Sequence, residues 1–234
     1  KIMEKIAILG SGTWGTALAQ VLNDNGNDVI IYGNKQDQVD DINNNHKNSF
    51  YFGDEISLDK GIKATTNLKE ALEGRRIIIL SVPSAALRSV LNEVNQLVIE
   101  PVILINTAKG FDTEKNQRLS ELIKEVVPES KREAVVSLIG PSHAEEVIVR
   151  DLTCICAVSL NSKASTKIAN LLSNKYFRVY LNDKITELNI EPRPAMIVVP
   201  GGGYVNCSKR EAEPIVFRYM AEGFNCFLFT HSNN

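Results

Sequence analysis

The stretch KIAILGSGTWG, residues 5–15, decides the fold of the first part of this chain. Apolar residues follow Lys5 as in a short buried strand, and Gly10, Gly12 and Gly15 then fit the spacing G-x-G-x-x-G. In that pattern the first glycine makes a tight turn, the second lets the backbone approach a pyrophosphate, and the third allows close helix–strand packing. The motif follows a strand and opens a helix, so it predicts a dinucleotide site. A strand–helix turn without a ligand is the alternative.

The second predicted strand, Asp28–Tyr32, bears on which dinucleotide binds. It runs into YGNK, residues 32–35, without the acidic residue that would bind the ribose 2′-hydroxyl of NAD. Lys35 can instead face a 2′-phosphate. We therefore predict NADP or NAD as the cofactor, with NADP favoured, while Asp37 keeps NAD open.

Strand-then-helix units repeat along the chain as far as Tyr180. Nearly continuous apolar strands, such as Val102–Thr107 and Leu152–Ser159, alternate with helices. The later predicted helices are Ser84–Ile99, Lys115–Val127, Ser142–Val149 and Ser162–Leu172. This alternation predicts an α/β fold with a doubly wound (Rossmann) parallel sheet that is covered on both faces.

The character of the sequence changes near residue 187, and a proline-rich break, EPRP, occupies residues 191–194. A further βαβ-like C-terminal segment is predicted after it. Its parts are a strand (Ala195–Val199), a glycine run (Gly201–Gly203), a helix (about Ser208–Glu222) and a strand (Phe224–Phe229). We predict a dinucleotide-binding domain over residues 1–187 and a separate segment over residues 188–234.

The bulk composition is that of an ordinary globular protein. The chain has 234 residues and a formal net charge of -2, which gives no reason to expect a nucleic-acid partner. No apolar run approaches the roughly 18 residues of a membrane span, and no signal peptide is evident. The four cysteines do not form a disulfide framework, and Cys154 and Cys156 would share one face of a strand. We therefore expect a reduced, cytoplasmic protein without a metal site.

Four ordered motifs connect the chain to a known family. They are ILGSGTWGTA at residues 8–17, SVPS at 81–84, NTAKG at 106–110 and GPSHAEE at 140–146. With them, residues 5 to about 184 resemble the N-terminal domain of bacterial NAD(P)-dependent glycerol-3-phosphate dehydrogenases. The resemblance implies an oxidoreductase of glycerophospholipid metabolism that interconverts sn-glycerol 3-phosphate and dihydroxyacetone phosphate, with a phosphorylated small molecule as its partner.

The resemblance also implies roles for individual residues. The cofactor-binding residues would be Gly10, Gly12, Thr13, Trp14, Gly15, Asn34, Lys35, Lys109 and Ala144. The substrate-binding residues would be Lys109, Gly140 and Ser142. The family often has arginine where this chain has Asn34, which departs from the NADP pattern.

The residues themselves favour part of this assignment. Lys109 and Ser142 each follow a predicted strand, so both would project from the carboxyl edge of the sheet, where ligands bind in such folds. Lys109 could also be a solvated loop lysine. Ser142 could cap a helix, with Glu145 completing a capping box. His143 is a candidate acid–base group, although a packing or capping role is the more common one.

The family pattern breaks after residue 187. Members continue into a helical substrate domain that opens with a Gly-Gly-Ala-Leu-Lys-Asn type motif, whose lysine is the acid–base catalyst. This chain has no such motif, and Lys184 stands in a different context, so no catalytic residue is assigned. Residues from about 190 to 234 instead resemble the early part of an α/β-hydrolase of the acetyl-esterase type, without a G-x-S-x-G motif.

These observations predict a chimeric chain joined near residue 187. On this interpretation it has the glycerol-3-phosphate dehydrogenase lineage and is truncated before the catalytic lysine. The alternative is a non-catalytic NAD(P)-binding module. The sequence leaves the oligomeric state open.

Overall fold

The computed structural model of this chain describes residues 3–112, 114–140, 142–181, 195–198 and 225–228. It divides the chain into two units, Lys1–Glu187 and Leu188–Asn234. The strands are β1 (Lys5–Leu9), β2 (Asp28–Tyr32), β3 (Lys63–Thr65), β4 (Ile77–Leu80), β5 (Val102–Asn106), β6 (Phe111–Asp112), β7 (Gln117–Arg118), β8 (Arg132–Ile139), β9 (Thr153–Val158), β10 (Phe177–Leu181), β11 (Ala195–Val198) and β12 (Asn225–Leu228). The helices are α1 (Thr13–Asp24), α2 (Gln36–Asp40), α3 (Ser49–Phe52), α4 (Leu68–Leu72), α5 (Ser84–Leu97), α6 (Leu119–Val126), α7 (Ala144–Ile148) and α8 (Ser162–Leu172), with a π-helical turn at Asp41–Asn45 and a 3-10 turn at Glu129–Lys131.

The first unit is built on an eight-stranded sheet in the spatial order β10-β9-β8-β5-β4-β1-β2-β3. From β3 to β8 all neighbouring strands are parallel, and β1 lies between β2 and β4. β4 and β5 are buried along their whole length, because apolar clusters cover both faces of the sheet there. The predicted doubly wound α/β (Rossmann) fold is confirmed for this part of the chain.

The last two strands of the sheet depart from the prediction. β9 runs antiparallel to β8, and β10 runs parallel to β9, so the sheet is mixed rather than wholly parallel. One side of these strands faces solvent: Cys154 is exposed and Tyr180 is 59% exposed. The expectation that both faces are covered is therefore wrong here. The physical reason is that α7, the only helix that the described residues form between β8 and β9, packs against α1 instead of crossing the sheet.

A polar cluster fixes these outer strands to α1. Arg150 donates two hydrogen bonds to the Asp24 carboxylate, at 2.8 and 3.0 Å, and the Tyr176 hydroxyl donates a third at 2.7 Å. Burial acts to raise the pKa of Asp24, but these donors outweigh it and hold that pKa below its ordinary value. The charged carboxylate thus joins the end of α1 to the start of β10.

Two helices begin later in the structure than the sequence predicts. The sequence predicts a helix from Lys115, but the antiparallel strands β6 (Phe111–Asp112) and β7 (Gln117–Arg118) precede α6, which begins at Leu119. A helix was also expected from Ser142, but α7 begins at Ala144. Neither observed N-cap, Arg118 or His143, makes a side-chain cap hydrogen bond among the described residues.

The second unit is described only in its two strands. β11 pairs with β12 in parallel, with Ala195 opposite Asn225. The predicted helix Ser208–Glu222 and the glycine run Gly201–Gly203 lie outside the described residues, as does Lys184. Among the helices that the structure describes, none has the length and apolar character that crossing a membrane requires.

Candidate functional site

The turns after neighbouring parallel strands meet along one edge of the sheet. In four places the residue that follows a strand donates its backbone N–H to the carbonyl oxygen of the last residue of the strand beside it. These bonds run from Gly33 to Thr65 (3.1 Å), Gly10 to Tyr32 (2.9 Å), Ser81 to Leu9 (2.8 Å) and Thr107 to Leu80 (3.2 Å). The carboxyl edge is thereby a continuous backbone framework, and it is the edge at which this fold class binds ligands.

The glycine turn is shaped by two close approaches and one open position. Gly10 has φ +121°, and a Cβ there would overlap the carbonyl oxygen of Ser81. A Cβ at Gly15 would overlap the carbonyl oxygen of Gly10. At Gly12, by contrast, no atom lies within 4 Å of the Cβ position. The first and third glycines are therefore required by packing, whereas the second leaves free space in front of the helix.

The N-terminus of α1 is suited to an anion. Gly12 is its N-cap, no side chain caps the helix within the described residues, and no acidic residue lies in its first turn. The first N–H groups and the positive end of the helix dipole are thus available to a negative ligand. Together with the free space at Gly12, these features fit the pyrophosphate of a dinucleotide. Thr13 and Trp14, the first two helical residues, are half-buried, and the Trp14 ring lies 6.5 Å from that of Phe177.

The end of β2 carries an exposed cation. Asn34 and Lys35 are both exposed, and the Lys35 ammonium lies 4.7 Å from the centre of the Phe50 ring. Phe50 is 68% exposed and packs edge-to-face against Tyr51, with ring centres 4.9 Å apart. Sequence reasoning did not identify Phe50. Three consecutive aromatic residues, Phe50 to Phe52, in an otherwise polar stretch were the available signal.

The turn after β5 presents Lys109. The buried Asn106 side chain accepts a hydrogen bond from Ala108 N at 3.2 Å and donates one to Ala108 O at 3.3 Å. This pair shapes the turn, and Lys109 follows with an exposed side chain. Lys109 thus stands at the carboxyl edge, as predicted from its position after a strand.

The end of β8 brings the last predicted residues to the same edge of the sheet. Gly140 follows β8 directly, Ser142 is half-buried, and Ala144 is buried at the start of α7. Pro141 lies outside the described residues. The N-cap of α7 is His143, without a side-chain cap bond, so the proposed capping box of Ser142 and Glu145 does not form. His143 is exposed.

A charged network holds the hairpin that follows Lys109. Arg88 on α5 bonds Asp112 at 2.7 Å and Glu125 at 3.0 Å. Lys115 and Gln117 bond the same Glu125 carboxylate at 2.6 and 2.8 Å. The hydrogen bond from Lys115, with those from Gln117 and Arg88, lowers the pKa of Glu125 to about 2. These residues were not predicted, because the contacts join segments that are distant in the sequence.

Two buried amides beneath the glycine turn were also missed. Gln38 and Asn48 are almost fully buried, and both bond Ser11 within the turn. Among the described residues, no group of three or more His, Cys, Asp or Glu side chains is placed to hold a metal ion.

A family model matches most of the first unit. The model for the NAD-dependent glycerol-3-phosphate dehydrogenase N-terminus matches residues 5–165. A glycerol-3-phosphate dehydrogenase (NAD(P)+) from a strain of Exiguobacterium is 48% identical over 183 residues, which cover 78% of this chain and 53% of that protein. The same enzyme from Streptococcus uberis is 46% identical over 200 residues, which cover 86% of this chain and 59% of that protein. The chain thus spans little more than half the length of these curated relatives.

Solved structures show the same similarity. The glycerol-3-phosphate dehydrogenase of Coxiella burnetii superposes with a TM-score of 0.68 at 33% identity, covering 77% of this chain and 54% of that one. The glycerol-3-phosphate dehydrogenase of Plasmodium falciparum gives a TM-score of 0.71 at 25% identity, covering 77% of this chain and 53% of that one.

The resemblance of residues 190–234 to an α/β-hydrolase finds no support among these relatives, which are all dehydrogenases. A match over 86% of the chain is longer than the first unit, so the similarity to the Streptococcus uberis enzyme enters residues after 187. The Exiguobacterium match covers 183 residues, fewer than the first unit contains, and a change of family near residue 187 stays a prediction.

Proposed function

Because this chain belongs to the NAD-dependent glycerol-3-phosphate dehydrogenase family, we propose that its first unit binds NADP or NAD at the turn Gly10–Gly15. The observation that carries this proposal is the N-terminus of α1, which has no side-chain cap among the described residues, open space at Gly12 and no acidic residue in its first turn. Free N–H groups and the helix dipole bind the pyrophosphate there, and Thr13 and Trp14 line the same turn. When bound, the cofactor supplies the hydride chemistry.

NADP is the favoured cofactor in this proposal. The end of β2 has no acidic residue that would bind a ribose 2′-hydroxyl and repel a 2′-phosphate, and Asn34 and Lys35 are exposed there. Lys35 supplies a fixed positive charge for the extra phosphate. Asp37, whose carboxylate accepts a hydrogen bond from Gln38 N at 2.9 Å, keeps NAD as the second candidate.

The substrate of the proposed reaction is glycerol 3-phosphate or dihydroxyacetone phosphate. Lys109 contributes a positive charge next to the cofactor and the phosphorylated substrate, while Gly140 and Ser142 contact the substrate from the end of β8, with Ala144 on the nicotinamide side. Their common position at the carboxyl edge supports this arrangement. The relatives are named for this oxidoreduction, and the activity of this chain is part of the proposal.

Residues 188–234 contain no Gly-Gly-Ala-Leu-Lys-Asn type motif, the motif that carries the family's acid–base lysine. Loss of a general acid–base group lowers a rate by about 10²–10⁴-fold. A non-catalytic NAD(P)-binding module is therefore the second candidate function. A cytoplasmic location belongs to the same proposal, and the free thiols of Cys154 and Cys156 support it.

Two measurements on the purified chain test the proposal. The first is titration with NADPH and NADH, followed by the fluorescence of Trp14, the single tryptophan. The second is an assay of NADPH oxidation with dihydroxyacetone phosphate. Binding with turnover establishes the dehydrogenase, and binding without turnover establishes the module. A chain that binds neither dinucleotide would contradict both.

A further inference from the structure

We propose that Asn48 is a positioning residue of the dinucleotide site, which fixes the Ser11–Gly12 peptide so that the Gly12 N–H faces the ligand. This inference rests on the proposed function. Asn48 lies outside the glycine motif, 37 residues after Ser11 in the sequence. No feature of the local sequence pattern around Asn48 indicates the role.

Asn48 holds the glycine turn from the protein interior. Its side chain is 1% exposed, and its amide Nδ2 donates to Ser11 O at 2.9 Å and to Thr16 Oγ1 at 2.9 Å. The first bond is to the backbone of the turn, and the second is to the first full turn of α1. A single amide group therefore joins both parts of the motif to the loop after β2.

The orientation of this amide follows from its partners. Ser11 O can only accept a hydrogen bond, so the amide nitrogen and not the oxygen must face it. A carbonyl oxygen in the same place would repel the Ser11 carbonyl. The donor role of Asn48 is thus determined by the chemistry of the contact.

The geometry of the peptide bond carries the effect to the ligand side. In a trans peptide the C=O and the following N–H point in opposite directions. Because the Ser11 carbonyl points inward to Asn48, the Gly12 N–H points outward, where the Cβ position of Gly12 has no neighbour within 4 Å. A peptide next to glycine can rotate at low steric cost. The Ser11 carbonyl accepts hydrogen bonds from Asn48 Nδ2 at 2.9 Å and from Thr16 Oγ1 at 3.5 Å, so the shorter bond from Asn48 has the larger part in deciding which way this peptide faces.

A second contact limits Ser11 further. The Ser11 hydroxyl donates to Gln38 Oε1 at 2.9 Å, and a Cβ at Gly33 would lie only 2.6 Å from that hydroxyl oxygen. Gly33 therefore leaves room for Ser11, and Gln38 holds its side chain. The carbonyl that sets the direction of the Gly12 N–H is bonded to Asn48.

The test replaces Asn48 by aspartate in the full chain. Asn48→Asp keeps the size but removes the donor and places a carboxylate oxygen against the Ser11 carbonyl. We expect the Kd values for NADPH and NADH to rise by the same factor, at least about tenfold, because the pyrophosphate is common to both. Asn48→Ala, which removes the donor without adding charge, should show the same pattern and serves if the aspartate variant does not fold.

Asn43→Asp is the matched control. Asn43 lies in the π-helical turn that precedes Asn48, and it also makes two side-chain bonds to backbone, to Ala64 O and from Ala64 N, both at 2.8 Å. Those bonds fix β3 and not the glycine turn. This variant should lower the midpoint of thermal unfolding and leave both Kd values within about twofold of the wild type.

Other outcomes overturn the inference. These are a folded Asn48 variant with wild-type affinity, an equal loss in Asn43→Asp, and a loss confined to NADPH. The last would mean that Asn48 acts only by placing the loop of Phe50, which contacts Lys35. If the wild-type chain binds neither dinucleotide, the proposed function fails and this inference fails with it. If the wild-type chain binds tightly and the Asn48 variants bind equally well, only the role of Asn48 is overturned.

Discussion

At the scale of single residues, Gly12 differs from the other glycines of the turn in having room for a side chain. Its φ of -72° is accessible to any residue, and an added Cβ meets no protein atom within 4 Å. We expect Gly12→Ala to fold with a stability within about 1 kcal/mol of the wild type. The methyl group would occupy the space proposed for the pyrophosphate, so affinity for NADPH should fall at least about tenfold. Trp14 fluorescence and thermal unfolding measure the two effects.

Gly15→Ala is the control for that variant. Its Cβ would overlap the Gly10 carbonyl oxygen, so the loss should appear first as a lower midpoint of thermal unfolding. A Gly12→Ala protein that binds NADPH with normal affinity would contradict the proposed location of the pyrophosphate.

Lys35 gives a prediction about cofactor choice. Replacing it by glutamine removes the positive charge at the end of β2, and a hydrogen bond to a charged group contributes about 1.5–3 kcal/mol. We expect Lys35→Gln to weaken NADPH binding at least about tenfold and to leave NADH binding nearly unchanged. Lys60→Gln, at another exposed lysine, is the control. Equal weakening of both dinucleotides in Lys35→Gln would show that the lysine does not read the 2′-phosphate.

At the scale of elements, the β6–β7 hairpin depends on a carboxylate that must stay ionised. The pKa of Glu125 falls from an ordinary 4.5 to about 2 in the folded chain, chiefly through its bond with Lys115. Because the unfolded chain binds the proton more readily, this stabilisation is present above about pH 4.5 and is lost as the pH falls towards 2. Glu125→Gln should therefore be less stable at pH 7 and lose less stability over that window.

Thermal unfolding between pH 2 and 7 measures this difference. Glu133→Gln is the control, because Glu133 is exposed on β8 and forms no ion pair among the described residues. An acid-sensitivity that is the same in wild type and Glu125→Gln would exclude Glu125 as its source.

The elements also show how far the sequence determines this structure. The central strands were predictable because β4 is wholly apolar and β5 is apolar as far as its last residue, Asn106, and the glycine spacing located the turn before α1. The antiparallel direction of β9 could not be predicted from its mostly apolar sequence, TCICAV. Its alternating burial, visible only in the structure, marks a strand with one covered face.

The residues of the candidate site also fall into a group that the sequence predicts and a group that it does not. Lys109 and Ser142 were predictable at the carboxyl edge because each follows a strand, whereas Gly140 was implied by the family resemblance. Asn48 and Arg88 were not, since their partners lie 37 and 24 residues away in the sequence and no local periodicity encodes such bonds.

At the scale of the whole molecule, the first unit contains two apolar clusters of buried residues. They include Phe177, which is fully buried and lies beside Trp14. We therefore expect a chain of residues 1–187 to fold alone and to bind NADPH with a Kd within about twofold of that of the full chain. Circular dichroism and the Trp14 titration measure this. A shortened chain that is unfolded, or that binds much more weakly, would show that residues 188–234 are needed.

The central place of β1 in the sheet has a consequence for the kinetics of folding. Gly10 must close against Ser81, which follows β4, so the binding turn forms only when segments some seventy residues apart have met. Such non-local contacts form slowly, whereas helices form early. When the chain refolds from denaturant, its helical circular dichroism should return first, and its capacity to hold a dinucleotide should be among the last properties to recover.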